Sequence, residues 1–242
     1  MGDPPTHDNR ALYPSFSPFA ARLLDAPSLA QSAPGRPNPG AQTGNRAFSA
    51  RGGDNTLPPM RRIMIIGNAA GGKSRLARQA ARAYGLPLRQ FDLAQWRPGW
   101  VMAPERDVTA IHNDWLAKDR WVIDGFGPWP TIRTRMQAAD LIILVDLPLA
   151  THLRWAAKRQ ICSIILGRED GPPGCPMWRA TIPMLRLILR FHRETRPKLL
   201  ATVAEVKPPA KTVHLRNPSD LAAFTRSLPE LLPSNQDLSD QT

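Results

Sequence analysis

Cysteine is almost missing from the chain: Cys162 and Cys175 are the only two. They are too few for a disulfide framework and lack the paired spacing of a zinc site, so a reduced, cytoplasmic setting is expected. Long apolar runs are missing too. The longest, residues 141–149, is broken by Asp146 and Pro148, well short of the ~20 residues that span a bilayer, so no membrane partner is expected. There is no secretory hydrophobic region, and four aspartates among residues 1–59 argue against a transit peptide. His152, His192 and His214 have no metal-ligand spacing and read as structural. Acidic residues are outnumbered, 20 against 32 Lys and Arg, for a formal charge of +12. Such a surface attracts nucleotides, nucleic acid or anionic lipid.

Proline is abundant, 26 residues, and unevenly spread. Ten of them fall in residues 1–59, with Gly, Ser and Ala between them and little apolar periodicity. That segment is expected to be a disordered extension, and Met60, directly before the first apolar run, is a candidate natural start. The extension's five arginines nearly balance its four aspartates, so the basic character belongs to the remainder. Residues 60–232 suit one α/β domain, and residues 233–242 a second disordered tail.

The domain is organised around residues 61–84. An apolar run, Ile63-Met64-Ile65-Ile66, leads into Gly67-Asn68-Ala69-Ala70-Gly71-Gly72-Lys73-Ser74, after which Leu76, Ala77, Ala80, Ala81 and Tyr84 recur at helical spacing. A match to G-x-x-x-x-G-K-[ST] arises by chance in about one such chain in a hundred, and here strand, loop and helix stand in the required order. Backbone N–H groups can wrap a phosphate chain only where side chains do not intervene, which accounts for Gly67, Gly71 and Gly72. Lys73 is placed to reach the outer phosphates, and the Ser74 hydroxyl to take a position on Mg²⁺. The bland alternative is a glycine-rich turn with a surface lysine.

Further along, residues 88–91 read as a short strand ending at Asp92, an acid placed to meet a substrate hydroxyl or Mg²⁺, or else to cap a helix. Residues 96–100, with Trp96, Arg97 and Trp100, suit a pocket wall or a packed turn. A helix over 108–116 carries Val108, Ile111, Trp115 and Leu116 on one side, and the buried strand after it ends at Asp124, which can hold a metal-bound water or orient the attacking hydroxyl. Arg133 and Arg135 could clamp substrate or simply face water. A fourth strand, 141–146, precedes a helix carrying Arg154, Lys158 and Arg159. The Gly- and Pro-rich stretch 167–176 reads as a loop able to close over a nucleotide. Beyond it Ile182, Leu185, Ile188, Leu189 and Phe191 form an apolar helix side, with Arg179, Arg186, Arg190, Arg193 and Arg196 as a basic side that is either solvated or a nucleic-acid surface. A fifth strand, 212–215, and a helix over 220–232 complete the pattern.

On these features the chain resembles the bacterial FlaR-like DNA topology modulation proteins, small P-loop ATPases akin to adenylate kinase. The resemblance covers about residues 60–226. It rests on the loop 67–74, on Phe91-Asp92-Leu93-Ala94-Gln95-Trp96, on Trp121-Val122-Ile123-Asp124-Gly125, on the strand ending Asp146-Leu147-Pro148 and the arginine-bearing helix after it, and on Gly174-Cys175. Asp124-Gly125-Phe126 is also similar to the metal-site element of adenylate kinases. The resemblance implies a P-loop NTPase three-layer sandwich, nucleoside-phosphate-kinase-like, with five parallel strands in the order 2-3-1-4-5 and a lid at about 160–196. It implies MgATP as ligand, held by residues 67–75 and Arg168, with Ser74 and Asp124 on the metal and Arg159 or Arg168 in the lid. Ala70 where a glycine is common, Arg75 after Ser74, and Gly127-Pro128-Trp129-Pro130 depart from the pattern.

The expected function is ATP-dependent phosphoryl transfer to a small hydroxyl- or phosphate-bearing substrate, with Lys73, Asp124, Asp92 and Arg159 as catalytic residues. The alternatives are an ATP-dependent nucleic-acid-binding modulator of DNA topology and an ATPase without a small-molecule acceptor.

Overall fold

The computed structural model describes residues 60–166, 171–206 and 211–228. The extension, the C-terminal tail, Arg168 and the expected helix end at 229–232 lie outside the described residues.

Five strands form one parallel sheet: β1 (Arg62–Gly67), β2 (Leu88–Gln90), β5 (Trp121–Asp124), β6 (Leu141–Val145) and β7 (Lys211–Leu215), paired in the order β2-β5-β1-β6-β7. Counted among themselves along the chain, these strands run 2-3-1-4-5. The numbering is offset by a separate antiparallel pair, β3 (Trp96–Arg97) and β4 (Val101–Met102), which the sequence reading took for a turn. The architecture is a three-layer α/β sandwich built on that parallel sheet.

Its three layers follow from alternation along strands buried on both faces. Met64, Ile66, Ile123, Ile142 and Leu144 point to one side, where α3 (Glu105–Leu116), α4 (Trp129–Ala138) and α7 (Arg196–Ala204) cover them. Ile63, Ile65, Val122, Ile143 and Val145 point to the other, beneath α1 (Lys73–Ala83) and α8 (Pro218–Arg226). Each fully buried aliphatic side chain contributes about 1.5–3 kcal/mol, and β1, which carries the loop, sits between β5 and β6 at the centre.

Several local expectations are corrected. The second strand stops at Gln90, and Phe91 opens a helix, α2 (Phe91–Gln95), so Asp92 lies in its first turn and is not its cap. Helix α3 begins at Glu105 and buries Val108 and His112, leaving Ile111 exposed. Ile182 is exposed as well. The helix that follows α5 (Leu149–Leu166) and a short 3₁₀ turn runs as α6 (Thr181–Arg190), a π-helical turn Phe191–Thr195, and α7. Pro197 explains the widened turn: it has no N–H to give, and its ring excludes the ordinary register behind it.

Candidate active site

The loop 67–72 takes its shape from contacts on both sides. Gly67 lies so close to β6 that a Cβ there would stand 2.1 Å from the Val145 carbonyl oxygen, so only glycine fits. Gly72, at φ 78°, turns the chain into α1. Ala70 has φ 54°, a left-handed conformation that costs an L-residue about 1–2 kcal/mol. Two side chains brace the loop from outside. Asn68 is buried; its amide donates to the Ile188 carbonyl at 3.0 Å and its oxygen accepts from the Ala69 N–H at 2.8 Å. Buried His152 on α5 bonds the Ala69 carbonyl at 2.8 Å through Nδ1. A carbonyl only accepts, so Nδ1 carries the proton, and burial lowers the ring's pKa, keeping it neutral.

Lys73 opens α1, with Nζ donating to the Asn68 carbonyl at 2.6 Å. Burial lowers its pKa, while Asp124 and Asp92 pull it back up. Asp124 ends β5, opposite Ile65 on β1 and Gln90 on β2. It is buried, and its Oδ1 has no hydrogen-bond partner among the described residues. Asp92, in the first turn of α2, is exposed to solvent, although protein lies close around it. That crowding, and then the charge of Asp124, raise its pKa, against the pull of Lys73 and Arg159. Lys73 and Asp92 therefore come within electrostatic range of each other and of both Asp124 and Arg159. Ser74, second in α1, is half-buried. Exposed Arg75 lies with Gly72, Trp155, Arg159, Pro218 and Leu221 around a cavity of about 660 Å³.

The fit to Mg²⁺ turns on Asp124. Hard cations take oxygen ligands, and Asp124 Oδ1 is a buried oxygen without a hydrogen-bond partner among the described residues. Among the described residues no group of three or more His, Cys, Asp or Glu could hold a metal by itself. The residues present fit a cation that brings phosphate oxygens with it, held further by the Ser74 hydroxyl.

Arg133 and Arg135, each open to a clamp or a solvated reading, both have partners within the protein. Arg133 reaches Glu205 at 3.6 Å on the surface. Arg135 is wholly buried, donating to the carbonyls of Thr131, Gly125 (2.9 Å) and Phe126, with its guanidinium 4.3 Å from the Phe91 ring centroid. Burial lowers its pKa to about 9, against the pull of Asp124. Arg135 instead fixes the chain that leaves Asp124. The segment 171–177, by contrast, is tied to the β3–β4 ribbon: Gly99 N–H donates to the Gly174 carbonyl at 2.7 Å, Trp100 Nε1 to that of Pro176 at 3.0 Å, and the Cys175 thiol to that of Arg97 at 3.2 Å. Single-sequence periodicity carries no signal for this tie, nor for the supporting roles of Asn68, His152 and Arg135.

No family model matches the chain, and no curated protein does. Among solved structures it is similar to a shikimate kinase from Acinetobacter baumannii in complex with shikimate (13% identity, TM-score 0.42, 70% of this chain and 93% of that one). It is also similar to a gluconokinase from Sinorhizobium meliloti (14%, 0.40, 69% and 89%) and a sugar kinase from Janibacter (14%, 0.41, 72% and 97%).

Proposed function

We propose that this chain is a cytoplasmic P-loop phosphotransferase of the FlaR-like kind, moving the γ-phosphoryl group of ATP to a small hydroxyl- or phosphate-bearing acceptor. The observation that carries the reading is the buried, unpartnered oxygen of Asp124 within electrostatic range of Lys73 and Asp92. A native protein leaves a buried carboxylate oxygen unsatisfied at a cost of about 1–3 kcal/mol, and such costs concentrate at functional sites.

The loop amides of 67–72, with Asn68, Ala69 and Ala70 among them, would cradle the phosphates. The base would occupy the cavity between α1, α5 and α8, beside Arg75 and Trp155. Lys73 leaves the Asn68 carbonyl for the outer phosphates and offsets charge there. An acceptor oxygen attacks the γ-phosphorus in line as the bond to the ADP oxygen breaks, and the hydroxyl proton passes to Asp92, whose raised pKa suits it to accept one. Mg²⁺, when present with the nucleotide, would be held by Ser74 and Asp124 and supply further neutralisation of phosphate charge. Arg159, and Arg168 in the stretch 160–196, would close as a lid.

The nucleic-acid reading has less support. Of its five arginines, Arg190 pairs with Glu194 and Arg196 turns to Asp146, leaving Arg179, Arg186 and Arg193 exposed. ADP release from MgATP by the full chain, alone and with pooled nucleotides, sugars and other hydroxyl metabolites, separates the readings. Stimulation by one pool, abolished in Lys73→Ala, supports the kinase. No stimulation, together with nucleic-acid binding that weakens steeply with salt, would replace it.

A further inference from the structure

A second cavity, of about 330 Å³, opens at the carboxyl ends of β6 and β7, with no residue of α1 in its walls. Its walls are Asp146, Leu147 and Pro148 ahead of α5, His192 from the π turn, Arg196 at the start of α7, and His214 and Arg216 on and after β7. His192 and Arg196 belong to the stretch 160–196 named above as a lid, but no residue of this cavity is given contact with ATP or acceptor in the transfer proposed there.

The one carboxylate in the cavity is saturated. Arg196 Nε donates to Asp146 Oδ1 at 2.5 Å and its Nη2 to Oδ2 at 2.9 Å, and His214 Nε2 lies 2.9 Å from Oδ2. Arg216 Nε in turn donates to His214 Nδ1 at 3.4 Å, which fixes the proton of a neutral His214 on Nε2. The donors outnumber the acceptor. A guanidinium carries five N–H groups, and this hydrogen bonding occupies two of those on Arg196 and one on Arg216. His192 adds a ring whose side chain is only partly covered. With both imidazoles neutral the walls are still net positive, because two arginines face one aspartate.

A merely structural ion pair would be complete with Arg196 and Asp146. It needs neither a second arginine and second imidazole at the same opening nor a cavity between them. We propose that this cavity is a second anion site, distinct from the P-loop, which takes a phosphate dianion, either free or as the monoester group of a small metabolite. Arg216, His192 and the outward N–H groups of Arg196 would receive the oxygens, and Asp146 would hold Arg196 and His214 in place from behind. The shared chemistry is charge-assisted hydrogen bonding to a compact dianion.

The test uses the full chain and reads the imidazole NMR signals of His192 and His214, assigned through His192→Gln and His214→Gln. Titration with inorganic phosphate and, separately, with glycerol phosphate is expected to shift both signals saturably, in Lys73→Ala as in the parent chain. In Arg216→Gln, an exposed substitution that leaves the fold intact by circular dichroism, affinity should fall at least tenfold. Tighter binding of glycerol phosphate would assign the site to a phosphorylated metabolite, and tighter binding of inorganic phosphate to the free ion. Absence of any shift, a shift that chloride reproduces at equal ionic strength, or one that Lys73→Ala abolishes would overturn the proposal.

Discussion

Two aspartates stand at the carboxyl ends of the strands that flank β1, and their surroundings are opposite. Asp124 ends β5, buried, with one oxygen that has no hydrogen-bond partner among the described residues. Asp146 directly follows β6 and has both oxygens taken by Arg196 and His214. The backbone puts both acids at the same edge of the sheet, so the difference lies in what packs against them. Beside Asp146 the π turn and α7 bring in a guanidinium. On the Asp124 side, Arg135 spends its donors on carbonyls and sets its guanidinium over the Phe91 ring. On the function proposed above, Asp146 holds structure together, whereas Asp124 serves the nucleotide's phosphates and their cation.

The sharpest way to break this contrast is to neutralise each acid in turn. Asp124→Asn should lower ATP turnover by at least about a hundredfold and leave the melting temperature unchanged or slightly higher, since a costly buried charge is removed. Asp146→Asn should do the reverse: a loss on the order of 2 kcal/mol, read as a melting temperature about 4–8 °C lower, with ATP turnover kept within a few-fold. Calorimetry and ADP release on both variants decide it, and the contrast fails if Asp124→Asn is the one that unfolds.

Acid should separate the two acids as well. Burial would raise the pKa of Asp146, but the hydrogen bonds and charges of His214 and Arg196 outweigh it and hold the carboxyl at about 2, below its ordinary 3.8. A carboxylate with a depressed folded-state pKa stabilises above its unfolded pKa and loses that stabilisation as pH falls through the folded one. Denaturant midpoints should therefore fall between about pH 4 and pH 2 in the parent chain, and this acid limb should flatten in Asp146→Asn. His112 acts at milder pH: burial and the charge of Arg135 hold it at about 4, so its share of stability is lost as pH falls from 6.5 towards 4. The parent and Asp146→Asn should share that earlier limb, while in His112→Gln it should be shallower, with His152, whose pKa burial also lowers, supplying what is left.

What the sequence revealed of this contrast follows from the range of the forces involved. The loop 67–74 was legible because phosphate chemistry dictates its residue types at contiguous positions, and β1, β5 and β6 were legible as apolar runs buried on both faces. Strand order was carried by the resemblance, since periodicity says nothing of which strand neighbours which. Lys73 came from the loop motif, Asp92 and Asp124 from strand ends and Arg159 from the resemblance, and the fold puts Asp92, Asp124 and Arg159 within electrostatic range of Lys73. Arg135 and Arg196 were misread because a charged residue on a helix is normally solvated. What turns them inward is the carbonyls of Gly125 and Phe126 for one and a carboxylate 50 residues away for the other. The β3–β4 ribbon, at two residues per strand, is too short to show a period.

The ribbon's tie to the segment 171–177 gives a smaller effect. Trp100→Phe keeps an aromatic ring against Trp96, whose centroid lies 5.4 Å away, but removes the bond to the Pro176 carbonyl. About 0.5–1.5 kcal/mol should be lost, concentrated in faster amide exchange across residues 171–177 with β1 and β6 unaffected. Uniformly faster exchange over the whole sheet would mean that the tie supports the fold at large and does not serve this segment alone.

The smallest effect concerns the loop itself, where Ala70 and Gly72 both adopt left-handed backbone, at φ 54° and 78°. An L-residue there costs about 1–2 kcal/mol, whereas glycine gives up about 0.5–1 kcal/mol of unfolded-chain entropy. Ala70→Gly should therefore stabilise by about 0.5 kcal/mol, a rise of 1–2 °C in melting temperature. Gly72→Ala should destabilise by about 1 kcal/mol; its new Cβ would meet Leu221 and Trp155 at an ordinary 3.4 Å, so the loss would come from backbone strain and not from collision. A drop in stability for Ala70→Gly would show that the methyl group packs usefully in the loop. A rise with weakened ATP binding would instead show that the strain at Ala70 holds the loop amides in the arrangement that phosphate requires.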